Sequence, residues 1–242
     1  MNHAAPATLA AFLTAEQRRA CAFAKVSGGL DAAADGAPLE HRLASARHEN
    51  VVACLSEGAR RFDWEIARAR PHAVDRRTRR GIGLASSADG GGEHGNMALA
   101  AFIEAVVDIE TGVAGVLRLL LAVALPKDSP GQAGRRDVEA GAVQGLAHAL
   151  RAGGSVEGGW QACGLAGAEL LPSVYDMPEI EIVEILPYGP LTDPERLYPL
   201  TVDVVTAAAT AALRQATGIS ELVAPVRPAD VLSRISAAAT PG

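Results

Sequence analysis

Residues 102–125 read FIEAVVDIETGVAGVLRLLLAVAL, and the fold turns on how that stretch divides. Phe102 to Ile109 is rich in β-branched and aromatic side chains, and Val116 to Leu125 is a second apolar run of strand length. Glu110-Thr111-Gly112 between them has the composition of a turn, so the spacing predicts a β-hairpin.

Working outward, Gly81 to Ser86 predicts a short strand, and Ser87 to Asn96, rich in Gly, Asp and Ser, a flexible loop. Before it, Pro38 to Ala46 reads as a helix. His48 to Arg70 carries Val51, Val52, Leu55, Ala59, Phe62 and Ile66 at helical spacing, leaving Glu57, Arg60, Arg61 and Glu65 on the exposed side. Thr14 and Gln17 form a capping-box start for a further short helix. On the C-terminal side, Pro126 to Gly134 breaks the pattern and Arg136 to Leu150 resumes as an amphipathic helix ended by Gly153-Gly154. Ser155 to Ala168 is glycine-rich and ambiguous. Glu179 to Ile185 alternates charged and branched residues like a half-exposed strand, Leu197 to Thr217 is an Ala-rich helix closed by Gly218, and Pro228 to Ile235 is a last short helix. This order predicts an α+β fold with helices packed on a mixed β-sheet. It places a single domain at residues 38–235, an extension with a short helix at 1–37 and a flexible tail at 236–242.

Composition narrows the function classes. The chain has 242 residues, 49% apolar and 21% charged, which suits a packed globular domain. A net charge of -6 disfavours a nucleic-acid binder, which needs a clustered excess of Lys and Arg; the pairs Arg76-Arg77, Arg79-Arg80 and Arg135-Arg136 read as solvated loop or helix ends. Cys21, Cys54 and Cys163 are widely separated and lack metal-ligand spacing, so they read as free thiols of a reducing compartment. With neither a signal peptide nor an apolar run long enough for a bilayer, the expected address is the cytoplasm, with no membrane partner.

Several short stretches, in the same order along the chain, resemble the C-terminal part of the molybdopterin-binding large subunit of the xanthine dehydrogenase and aldehyde oxidase family. Pro38-Leu39-Glu40-His41-Arg42-Leu43-Ala44 is similar to that family's "DPLELRLKN" helix, and Arg80-Gly81-Ile82-Gly83-Leu84-Ala85 to its "RGIGIA" strand. Val107-Asp108-Ile109-Glu110-Thr111-Gly112 resembles the "VDxxTG" turn, and residues 138–150 resemble "VEGGxxQGLGxAL". Tyr175 to Ile180 is similar to "xDxPEI", and Ala216-Thr217-Gly218 with Pro225 and Pro228 to Leu232 to the "ATGxR…LPxTPExVL" ending. The resemblance covers residues 38 to 235 and implies the same α+β fold.

It also implies three departures. Relatives carry, between the "RGIGIA" strand and the "VDxxTG" turn, a long segment with glycine-rich loops that hold the pterin; here the interval is only Ser86 to Ala101. The "DxGxxINP" stretch aligns with Ala124 to Gly131, which has neither its Asp nor its Asn. The slot of the family's catalytic carboxylate, a "GxGE" motif, falls on Leu191-Thr192-Asp193-Pro194, and Pro194 cannot act as a base.

The expectation is therefore a shortened relative acting as a cofactor-free enzyme, of cyclase or isomerase type, on a hydrophobic small molecule held in a pocket lined by the apolar strands. Its candidate catalytic residues are Asp193, Glu195, Tyr188 and Tyr198 around the old catalytic slot and His148 on the "QGLGxAL" helix, with neither a cofactor-binding nor a metal set. Trp160 reads as core rather than ligand platform. The alternatives are a subunit of a divided molybdenum hydroxylase that shares a molybdopterin cofactor with a partner subunit, and a non-catalytic homo-oligomer assembled through an uncovered sheet face.

Overall fold

The hairpin expected at residues 102–125 forms the middle of the sheet. The computed structural model describes residues 38–46, 48–88, 97–125, 132–150, 156–157, 160–161, 176–186 and 196–239. Its helices are α1 (Pro38–Ser45), α2 (Glu49–Phe62), α3 (Trp64–Ala69), α4 (Gln132–Leu150), α5 (Leu197–Thr217) and α6 (Pro228–Ala239). The strands are β1 (Thr78–Ala88), β2 (Ala98–Asp108), β3 (Ala114–Ala124), the two-residue β4 (Val156–Glu157) and β5 (Trp160–Gln161), and β6 (Glu179–Ile185). The main sheet has the order β1-β2-β3-β6, antiparallel except for the parallel β3–β6 pair, and β4 and β5 pair with each other apart from it. The fold is the expected α+β arrangement of helices on a mixed sheet.

Alternation along the strands splits the core in two. Leu99, Ala101, Ile103, Leu119, Leu121 and Val123 join α4 and α5 in one cluster. Phe102, Leu120, Ala122 and Ala124 join α2 and α3 in the other. Among the described residues both faces of β2 and β3 are therefore buried under helices, and their apolar side chains fill cores rather than line the substrate pocket expected from the sequence.

The predicted helix over 48–70 is two helices. Asp63 adopts a left-handed conformation at φ 55°, which Asp tolerates better than most residues. The break turns Phe62 and Trp64, which an uninterrupted helix would send to opposite sides, into the same cluster, each with its ring 5.8 Å from Phe102. Ile66, counted with the apolar face, is left 61% exposed. Strand β1 is longer than predicted because the Asp75 carboxylate accepts from the N–H groups of Arg77 and Thr78 and starts the strand there. Helix α4 begins at Gln132, before the predicted Arg136, and α6 runs to Ala239, into the stretch assigned to a tail. The short helix expected after Thr14 lies outside the described residues.

Candidate functional site

Four glycines of the family-like stretches have a defined task. A Cβ on Gly81 or Gly83 would strike the α5 backbone at Ala212 and Ala208, so these positions let α5 lie directly on β1. On α4, a Cβ at Gly141 would come 2.9 Å from the Tyr198 carbonyl oxygen and one at Gly145 2.9 Å from that of Val202. The two helices thus pack closely and advance in the same direction. Thr206, at their seam, donates its hydroxyl to the carbonyls of Gly145 and Val202, so its burial leaves no polar atom unpaired.

This packing separates two of the candidate residues. Tyr198, 40% exposed, lies in the first turn of α5 level with Gly141. His148 lies two helical turns further along α4, roughly 10 Å beyond that level at 1.5 Å per residue, with its Nε2 2.8 Å from Gln144 Nε2. The structure does not bring them into one site. Asp193, Glu195 and Tyr188 lie outside the described residues, as does the Trp160 side chain. Helix α5 itself starts immediately after Glu195: Arg196 is its N-cap, makes no side-chain capping bond, and is followed by a first turn without an acidic residue. The positive end of its dipole is thus uncompensated by the cap or the first turn.

Two other polar clusters were not anticipated. Arg80 and Glu104, both buried, pair across β1 and β2 through Arg80 Nε and a Glu104 oxygen; Arg80 also donates to the Ala67 carbonyl at 2.8 Å, and Arg70 approaches Glu104 at 3.6 Å. The pair ties α3 to the sheet. A groove of about 560 Å3 lies along β6, lined by Glu57, Arg60 and Arg61 of α2, Arg135 of α4, and Ile182, Val183 and Glu184. Arg135 binds Glu139 and Glu184 at 3.0 and 3.2 Å, while Arg61 and Arg118 each reach Glu181 at 3.5 Å. Arg60, hydrogen-bonded to Glu57, holds that carboxyl below the usual range. These ion pairs clamp β6 between the two helix layers. Sequence gave little sign of the groove, because its walls come from segments more than 40 residues apart; the alternating Glu of β6 was the one available signal.

Cys54, on the buried face of α2, is fully buried, and burial pushes its thiol up to about 12, so it is a core residue and not a nucleophile. Among the described residues, no group of three or more His, Cys, Asp or Glu side chains could hold a metal ion, and no helix is long and apolar enough to cross a membrane.

The close approaches that Gly81, Gly83, Gly141 and Gly145 permit are filled by α5, so these glycines cradle a helix and not a ligand. Strands β1 and β2 pair continuously from Thr78↔Asp108 to Ala88↔Ala98.

Several solved structures are similar in fold to part of the chain. They are molybdenum hydroxylases. An aldehyde oxidoreductase from Desulfovibrio gigas matches at 22% identity and a TM-score of 0.46, over 58% of this chain and 15% of that one. Quinoline 2-oxidoreductase from Pseudomonas putida 86 matches at 17% and 0.49, over 58% of this chain and 19% of that one. A Cu,Mo-CO dehydrogenase matches at 16% and 0.44, over 57% and 18%. The chain thus spans less than a fifth of the molybdenum hydroxylase chains it matches, and the likeness is one of partial fold. No family model matches the sequence, and the search of curated proteins finds no relative.

Proposed function

We propose that this chain is a self-contained enzyme domain on a shortened molybdenum-hydroxylase-like scaffold, acting without the molybdenum cofactor on a hydrophobic small molecule. The observation that carries the reading is the β1–β2 pairing, continuous through Ala88↔Ala98, beside the interval in which the family the sequence resembles is expected to hold its pterin. The two cores formed among the described residues support independent folding.

The chemistry assigned is proton transfer in a cyclisation or isomerisation. Asp193 and Glu195 shortly precede α5 in sequence, and the N-terminal end of a helix favours an ionised carboxylate. One carboxylate there would act as base and return the proton as acid. Tyr188 and Tyr198, near these carboxylates in sequence, are assigned as orienting hydroxyls, and His148, at a different level of the α4–α5 pair from Tyr198, is left out of the assignment.

The test is metal and pterin analysis of the protein purified from a host that makes molybdenum cofactor, followed by a thermal-shift screen of hydrophobic carbonyl compounds. Metal-free, folded protein stabilised by such a compound is the expected result. Stoichiometric molybdenum would overturn the reading and restore the divided hydroxylase. Once a substrate is found, Asp193→Asn and Glu195→Gln should each be tested; turnover unchanged in both removes the assignment.

A further inference from the structure

The two edges of the sheet are treated differently. On the outer side of β1, Val74 N–H donates to the Thr78 carbonyl, Arg80 N–H to the His72 carbonyl and Ile82 N–H to Gln215 Oε1, so the chain covers this edge itself. On β6, the Ile185 carbonyl accepts from Leu125 N–H and therefore points to β3. Since N–H and C=O groups alternate sides along a strand, those of Ile180, Ile182 and Glu184 point away from β3, where no strand pairs with them among the described residues. The groove is lined by both helix layers and by consecutive residues of β6, so it opens along this edge.

We infer that this edge binds the same edge of a second copy of the chain, antiparallel and centred on Ile182. In that register Ile182 faces its own counterpart and Ile180 faces Glu184 of the other copy, so every outward N–H and C=O of the three residues is bonded. Shifting the pairing by two residues one way sets Glu184 opposite Pro178, which has no N–H to donate, and the other way sets Ile180 opposite Leu186, beyond the end of β6. The register also sets each glutamate of EIEIVEI opposite an aliphatic residue and never opposite another glutamate. Arg60 and Arg61 of one helix layer and Arg135 of the other flank the edge, so the same mixed-charge patch meets itself as a two-fold interface requires. Charged residues on an edge usually discourage pairing, but here Glu181 and Glu184 are already neutralised by Arg61, Arg118 and Arg135. The inference is independent of the proposed activity.

Sedimentation equilibrium of the full chain tests it, read alongside residue-resolved amide exchange. The expected mass is twice 24.9 kDa, with the amides of Ile180, Ile182 and Glu184 gaining protection as concentration rises while those of Glu181 and Val183 stay protected throughout. Glu184→Pro removes an outward N–H without touching the β3 ladder and should give a folded monomer, whereas Glu184→Gln should remain a dimer. A wild-type monomer overturns the proposal, as does a folded Glu184→Pro dimer. Should the proline variant fail to fold, the wild-type exchange pattern decides: protection at all three outward amides that is independent of concentration overturns it equally.

Discussion

Gly83 of β1 stands directly beneath the carbonyl oxygen of Ala208 in α5, with no room for a side chain between them. The contact sets how closely α5 approaches the sheet. Gly83→Ala should therefore destabilise the fold by about 3 kcal/mol, the upper part of the range for overpacking, because the atom it meets is backbone and cannot swing aside. Gly115→Ala on β3, where a Cβ meets nothing within 4 Å, is the matched control and should change the denaturation midpoint little. Equal midpoints for the two variants would refute this account of the motif glycines.

The buried pair of Arg80 and Glu104 gives a second prediction. Removing one partner strands the other charge between the sheet and α3, a change that costs about 3–5 kcal/mol in comparable pairs. Glu104→Gln should lower the urea midpoint sharply, and a joint Arg80→Met, Glu104→Leu replacement should recover much of the loss. A double variant as unstable as the single one would show that the Arg80 bond to the Ala67 carbonyl matters more than the ion pair.

Much of the fold was legible because it is written locally. The hairpin turn at Asp108 to Gly112, the Gly218 cap of α5 and the two apolar periods need only neighbouring residues to be read. The break at Asp63 was not legible, because helical spacing runs straight through it and only the shared cluster of Phe62, Trp64 and Phe102 requires it. The glycine motifs were visible, but their purpose was not: a glycine that admits a helix backbone reads the same as one that admits a cofactor. Of the candidate site, Tyr198 and His148 could be placed, and the parallel run of α4 and α5 that parts them depends on tertiary packing alone.

Cys54 offers a direct probe of the lower core. Its Sγ lies 3.6 Å from the Ala98 carbonyl oxygen, fully buried, with the thiol pushed up to about 12. At pH 8 it should resist alkylation in the native protein and react at once in urea, with mass spectrometry of its peptide separating it from Cys21 and Cys163. Fast native labelling would show that α2 lifts from the sheet far more often than a core of this kind allows.

The β2–β3 turn should report pH. The Asp108 carboxyl lies below its ordinary range, held there first by the Arg77 guanidinium and then by the N–H groups of Glu110 and Thr111. Asp75 is lowered mainly by the N–H groups of Thr78 and Arg77. A carboxyl with a depressed folded pKa contributes stability that is complete above its unfolded value, about 3.9 for Asp, and is lost as pH falls through the folded value. Asp108→Asn keeps a turn acceptor but has no charge to lose. The variant should therefore be less stable than wild type at pH 7, and the gap between their urea midpoints should close as pH is lowered from 5 to 2. A gap that stays constant across that window would mean that the Asp108 charge contributes nothing to the hairpin, and that its backbone hydrogen bonds alone hold the turn.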